Sequence, residues 1–245
     1  MEILVCIKRV PTVGGKIVLT PDGQDVDTRM SGFTISPHEE CAVEEAVRLV
    51  EANGGSVTVL TLGEAVSVEQ LRDALALGAS KAILLETSGS ETGPIATASA
   101  IASVVSSGSY DLVLMGNEAS DTGDYQVGIR VAHLLGWPVA TGIKSLVISD
   151  SVATAAREYR GVTESFTLPL PAVVTVKEGI NLPRYPSLPG RLRAKKAPIS
   201  TVPVSASPDP LRKIVLRVPE TTSHQAEVLD GVPELVRVLE ELGVL

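Results

Sequence analysis

One stretch of the chain combines residue types that can hold an anion. It is Gly116-Asn117-Glu118-Ala119-Ser120-Asp121-Thr122-Gly123-Asp124-Tyr125-Gln126-Val127-Gly128, a polar loop that leaves the apolar run "DLVLMG" and enters a helical pattern over 126–135. At that helix start the N–H groups of Gln126, Val127 and Gly128 would stand unpaired with the helix dipole behind them, an arrangement that receives phosphate. Gly128 lets a phosphate or a packed strand approach closely. The same residues admit a purely structural reading, in which Asp121 or Thr122 caps the helix and Gly128 eases its packing. No Walker loop and no glycine dinucleotide fingerprint occurs, which disfavours a hydrolytic NTPase or an ordinary Rossmann dehydrogenase.

No set of side chains here runs bond-making chemistry. His38, His133 and His224 are scattered; His38 falls in the first turn of one helix, His133 near the end of another, and surface or helix-end roles suit all three. No Cys/His cluster has metal spacing and no G-x-S-x-G elbow exists. Glu39/Glu40 and Glu44/Glu45 read as solvated carboxylates on a helix surface. A reaction involving this chain would need a cofactor to carry it.

Composition narrows the class further. The 245 residues suit one large domain, or a domain plus an extension, and the 44% hydrophobic content supplies a packed core. Aromatics at 3% and a net charge of −8 argue against nucleic acid as partner. Cys6 and Cys41 read as buried free thiols, which fits a reducing compartment. The start "MEILVCIKRV" does not read as a signal peptide, and no apolar run of about 18 residues offers a membrane span.

The elements that would position the loop alternate between strand and helix. "ILVCIKRV", "SVTVLTL", "KAILLE", "DLVLMG" and "PAVVTV" read as strands, and "KIVLTPDGQDV" as a hairpin turning at Pro21-Asp22-Gly23. Ser36 with Pro37 and Glu39 marks a helix start by reciprocal capping, and Asn53-Gly54 its end. Ser67 with Gln70 opens another helix, closed by Gly78. Residues 95–106 form a small-residue helix, and Gly136 closes the helix over 126–135. Such repeats predict an α/β fold: a doubly wound, mostly parallel, Rossmann-like sheet over residues 1–180. Its ligand site lies where strand order reverses, beside the first strand and "DLVLMG". Residues 181–200 then read as a stiff arm, with Pro183, Pro186 and Pro189 among the cations Arg184, Arg191, Arg193, Lys195 and Lys196. The extension 201–245 continues as Pro-rich extended chain to about 210, the strand-like "KIVLRV", and a helix from Pro233 with Leu235, Val238, Leu239 and Leu242 on one face.

Residues 171–199, "PAVVTVKEGINLPRYPSLPGRLRAKKAPI", resemble the signature segment of the electron transfer flavoprotein β-subunit family. "REYRGVTESFTLPLPAVVT", "GNEASDTGDYQVG", "CIKRVP" and "SPHEECAVEEAVRL" extend the likeness over nearly the whole chain. The resemblance implies a heterodimer whose α subunit holds a redox-active FAD, shared with this chain. It implies a structural AMP here, with Ile7, Lys8, Arg9 and Leu62-Gly63 flanking the adenosine. Phosphate would sit on the N–H groups of Gln126, Val127 and Gly128, with Gly116, Asn117, Asp121, Thr122, Gly123, Asp124 and Tyr125 completing the cofactor-binding set. Electrons would come from dehydrogenases docked through Leu188, with Tyr185 and Arg191, and leave to a membrane or soluble acceptor. The final helix would pack on the α subunit or on its own sheet. The compartment would be the bacterial cytoplasm, or the mitochondrial matrix in a eukaryote. A bifurcating subunit with a second FAD, oxidising NADH, is the alternative: bifurcating members commonly read Gln-Val-Gly at 126–128, as here, where many AMP-binding members carry Thr in place of Val127. A stress-protein-like nucleotide-binding domain without electron transfer is a second alternative.

Overall fold

The structure, a computed structural model, describes residues 1–12, 17–89, 92–204, 211, 214–219, 226 and 228–245. The chain runs through β1 (Glu2–Cys6), a ribbon of β2 (Arg9–Pro11) and β3 (Phe33–Ile35), then α1 (Pro37–Asn53), β4 (Ser56–Gly63), α2 (Val68–Leu77) and β5 (Lys81–Glu86). It continues with α3 (Pro94–Ser107), β6 (Leu112–Gly116), α4 (Val127–Leu135) and β7 (Val139–Ile143). Three further strands follow, β8 (Ser145–Ser149), β9 (Val152–Tyr159) and β10 (Val162–Pro169), before β11 (Ala172–Val176), α5 (Leu188–Lys196), β12 (Ser200–Pro203) and α6 (Val232–Glu241).

Seven strands form one parallel sheet in the order β12-β5-β4-β1-β6-β11-β7. Strands covered on both faces become near-continuous apolar runs, and Ile3, Leu4 and Val5 are each fully buried. One face packs against α1, α2 and α5; the other packs against α3 and α4. The α3 residues at the second interface are mostly small, including Ala98, Ala100 and Val105, which lets that helix lie close. Strand order reverses between β1 and β6, which pair from Ile3 opposite Leu112 to Cys6 opposite Met115. The Rossmann-like class is therefore present, with its reversal at the expected strands. No helix among the described residues is long and apolar enough to cross a membrane.

Several local expectations change. The hairpin reduces to one bridge, Leu19 with Val26, around a turn in which the Gly23 N–H donates to Thr20 O at 2.9 Å; Lys16 lies outside the described residues. Residues 214–218 of "KIVLRV" form no strand. They lie along that turn, where Leu216 N–H donates to Gly23 O at 2.8 Å; Lys213 is outside the described residues, as is His224. Residues 200–203 are not free extended chain but the sheet's edge strand beside β5. The antiparallel sheet β8–β10 was not foreseen, and the arm is not extended throughout, because its second half is α5. Ser187 caps that helix by accepting the Gly190 N–H at 3.1 Å, and Pro189 sits in the first turn, where a missing N–H costs nothing. In α6 no residue is buried, so it does not pack on its own sheet.

Candidate functional site

The carboxyl ends of β1, β4 and β6 meet at the strand-order reversal, where open parallel sheets bind ligands. β1 continues into Ile7, whose buried N–H donates to Leu60 O at 2.9 Å and prolongs the ladder with β4. The next residue turns away: Lys8 N–H donates to Glu39 Oε2 at 2.6 Å, and Lys8 Nζ pairs with Asp121 Oδ2 at 2.7 Å. Arg9 lies 3.6 Å over the Phe33 ring and 3.7 Å from Glu69; its buried Nε and Nη1 have no hydrogen-bond partner among the described residues. Gly63 ends β4 at a tight turn, where a Cβ would come 2.6 Å from Ser67 Oγ.

Glu39 is not solvated. It is 7% exposed because α1 begins over the ends of β1 and β6, so its first-turn side chains face protein. Burial raises its carboxyl pKa to about 8, against the pull of the Lys8 N–H and charge. Gly116 makes room for it, since a Cβ there would stand 2.7 Å from Glu39 Cγ. Of the reciprocal Ser36/Glu39 cap only the half from the Ser36 backbone to the Glu39 carboxyl is present. Ser36 makes no side-chain bond to the helix, and its Oγ lies 3.5 Å from Glu118 O. His38 Nδ1 is 4.0 Å from Glu118 Oε1, and burial lowers the pKa of this imidazole.

The polar loop is folded back on itself. Gly123 N–H donates to Ala119 O at 2.9 Å, and Gly123 and Tyr125 take φ of 58° and 56°. The Tyr125 hydroxyl hydrogen-bonds Glu118, which raises the phenol pKa. Neither Asp121 nor Thr122 caps α4; the cap position is Gln126, whose Oε1 accepts from Arg130 Nη2 at 2.7 Å. The N–H groups of Val127, Gly128 and Ile129 have no partner among the described residues, and the first helical bond runs from Arg130 N–H to Gln126 O. Gly128 serves strand packing, since a Cβ would stand 2.5 Å from Thr175 Cγ2 on β11. Asn117 turns toward β11, where its Oδ1 accepts from Thr175 Oγ1 at 2.8 Å.

Lys8, Asp121 and the α4 start thus gather at the reversal, with Ile7, Leu62 and Gly63 at neighbouring strand ends, while Asn117 is spent on structure and Thr122 and Asp124 are exposed. Unpaired amides, a nearby ammonium and glycines at close approaches suit a phosphate-bearing ligand. Among the described residues no group of three His, Cys, Asp or Glu could hold a metal.

A second surface lies in the arm. Leu182, Tyr185 and Leu188 are 83%, 95% and 72% exposed, whereas the backbone between them is firmly tied. Arg184 Nε and Nη2 reach Glu44 at 2.9 and 3.1 Å, and its Nη1 and Nη2 reach Glu51 at 2.7 and 2.9 Å. Glu44 and Glu45 are buried under this arm, again not solvated. Desolvation opposes ionisation of Glu44, but hydrogen bonds from Arg184 and Arg48 overcome it and lower its pKa; desolvation prevails at Glu45, where the pKa is raised.

A family model described as the electron transfer flavoprotein domain matches residues 26–207. Relatives named electron transfer flavoprotein subunit beta align end to end. The one from Bradyrhizobium diazoefficiens is 36% identical over 250 residues, covering 100% of both chains. Those from Homo sapiens and Bacillus subtilis are 34% and 33% identical, covering 99% and 98% of this chain and 98% and 97% of their own. The chain belongs to the electron transfer flavoprotein β-subunit family. For a member of that family, sequence reasoning missed Glu39, Glu44 and Arg184 as partners in buried contacts. Only Arg184 left a signal, as the sole cation in an otherwise uncharged stretch from Asn181 to Gly190.

Proposed function

We propose that this chain is the β subunit of an electron transfer flavoprotein heterodimer. It carries no chemistry of its own; FAD, held with an α subunit, supplies the redox chemistry. The crevice at the reversal binds an adenine nucleotide, AMP, as a structural ligand. The observation that carries this is the set of unpaired Val127, Gly128 and Ile129 amides placed at the reversal in a chain of this family. Lys8 supplies a cation, and Ile7, Arg9, Leu62 and Gly63 border the adenosine. Tyr185, Leu188 and Arg191 form the docking surface for donor dehydrogenases: a few exposed apolar side chains on a rigid, polar surround give weak, fast-exchanging contact. The exposed apolar face of α6 is the surface offered to the α subunit.

The test is to count the nucleotides released from the co-expressed, purified heterodimer. One FAD and one AMP per dimer is expected. Two FAD per dimer replaces AMP with a second flavin and moves the chain to the bifurcating class. A flavin-free homo-oligomer moves it to the stress-protein-like class, and a dimer without any adenine compound beyond the α-subunit FAD removes the crevice assignment.

A further inference from the structure

The arm presents large apolar side chains to water and yet is fixed at both ends. At its start Asn181 Nδ2 donates to Cys41 O at 3.0 Å and to Glu45 Oε2 at 2.8 Å. Three residues on, Arg184 lies across α1, with its N–H 3.1 Å from Glu44 Oε2 and its guanidinium shared between Glu44 and Glu51. Glu44 is 2% exposed and also receives Arg48 Nε at 2.6 Å, while Arg48 Nη2 reaches the carbonyl of Leu182 at 3.4 Å. At the far end Gly190 packs so tightly on α2 that a Cβ would be 2.5 Å from Ala76 O. Arg72 Nη1 there donates to the carbonyls of Ala194 and Lys195 at the end of α5. Leu182, Tyr185 and Leu188 are the side chains left outside these ties.

We propose that Arg184 is the positioning residue of the docking arm: by bridging buried Glu44 and exposed Glu51 it fixes Tyr185 and Leu188 in the geometry a dehydrogenase meets. This rests on the docking reading above. An arm ordered in advance loses less conformational freedom on binding, so loosening it weakens encounter rather than the electron step. A guanidinium is required, because its planar fork serves two carboxylates at once, which an ammonium cannot do with the same geometry.

The experiment uses the intact heterodimer with Arg184→Gln, Arg184→Lys, Glu51→Gln and Leu188→Ala, assayed with a donor dehydrogenase. Arg184→Gln leaves Glu44 paired with Arg48, so the chain still folds. It is expected to raise KM for the dehydrogenase about tenfold with kcat nearly unchanged. Amide exchange over residues 182–188 should accelerate, while flavin and nucleotide content stay fixed. Arg184→Lys should recover part of the loss, and Glu51→Gln, which removes only the exposed partner, should shift KM in the same direction by less. A raised KM in Leu188→Ala with none in Arg184→Gln overturns the role of Arg184. No change in Leu188→Ala overturns the docking reading beneath it.

Discussion

Glu39 and Glu44 stand on the same helix, both buried, and the protein treats them in opposite ways. Glu39, in the first turn of α1, has backbone hydrogen bonds at Lys8 and Ser36 and the Lys8 charge nearby but no guanidinium, and its carboxyl pKa is pushed up to about 8. Glu44 has two guanidiniums, and its pKa is lowered. The difference lies in the weight of protein around each carboxyl and in its partners. Burial opposes ionisation of both groups, and at Glu44 the hydrogen bonds from Arg184 and Arg48 overcome it. One helix therefore carries a near-neutral acid into the crevice at the strand-order reversal and a fixed anion beneath the arm of residues 181–190.

The largest expected effect breaks the anionic half. Glu44→Gln leaves Arg48 and Arg184 without their shared carboxylate and should cost about 3 kcal/mol, read as a lowered denaturant midpoint. If stability is unchanged, the buried anion is not what holds the arm. Next, Gly116→Ala places a methyl against Glu39 and should cost about 2 kcal/mol and lower the nucleotide content of the heterodimer.

Glu39→Gln sharpens the contrast from the other side. A carboxyl with a raised folded pKa contributes stability fully below its ordinary 4.5, and that contribution is lost as pH rises through about 8. The amide keeps an acceptor for Lys8 and cannot ionise, so the variant should be more stable than the parent by about 1 kcal/mol at pH 8 and show a flatter melting profile between pH 5 and 8. Glu44 runs the opposite way, losing its contribution as pH falls through its lowered pKa. Parallel melting curves for parent and Glu39→Gln across that window would refute the neutral-acid picture. The smallest effect belongs to Glu51→Gln, whose exposed pair should be worth under about 0.5 kcal/mol in a melt.

Much of the sheet was legible because it is buried on both faces. Runs such as "ILVC", "VTVL" and "AVVTV" suit strands covered on both faces, and Gly136 marks the end of α4 by its left-handed φ of 66°. The reversal, and with it the position of the loop, followed from that order. The burial of Glu39, Glu44 and Glu45 was not legible, because the apolar residues of α1, Ala42, Val43, Ala46, Val47 and Val50, recur at helical spacing and leave the glutamates on a flank. What covers the flank comes from 140 residues away, where Arg184 meets Glu44. Helix α5 was hidden by prolines that suggest extended chain, although Ser187 followed by Pro189 is also how a helix begins. β8–β10 escaped because "VATAAREY" mixes small and charged residues, with no strong alternation to set it apart from a loop.

Helix α6 has ten residues and no buried side chain, with Val232, Leu235 and Val236, and Leu242 just past its end, open to water. A helix that short is marginal in water unless something covers its apolar stripe. In the proposed heterodimer its shape would be borrowed from a companion surface, and the circular dichroism lost on separating the two subunits would measure how much of the tail belongs to the pair.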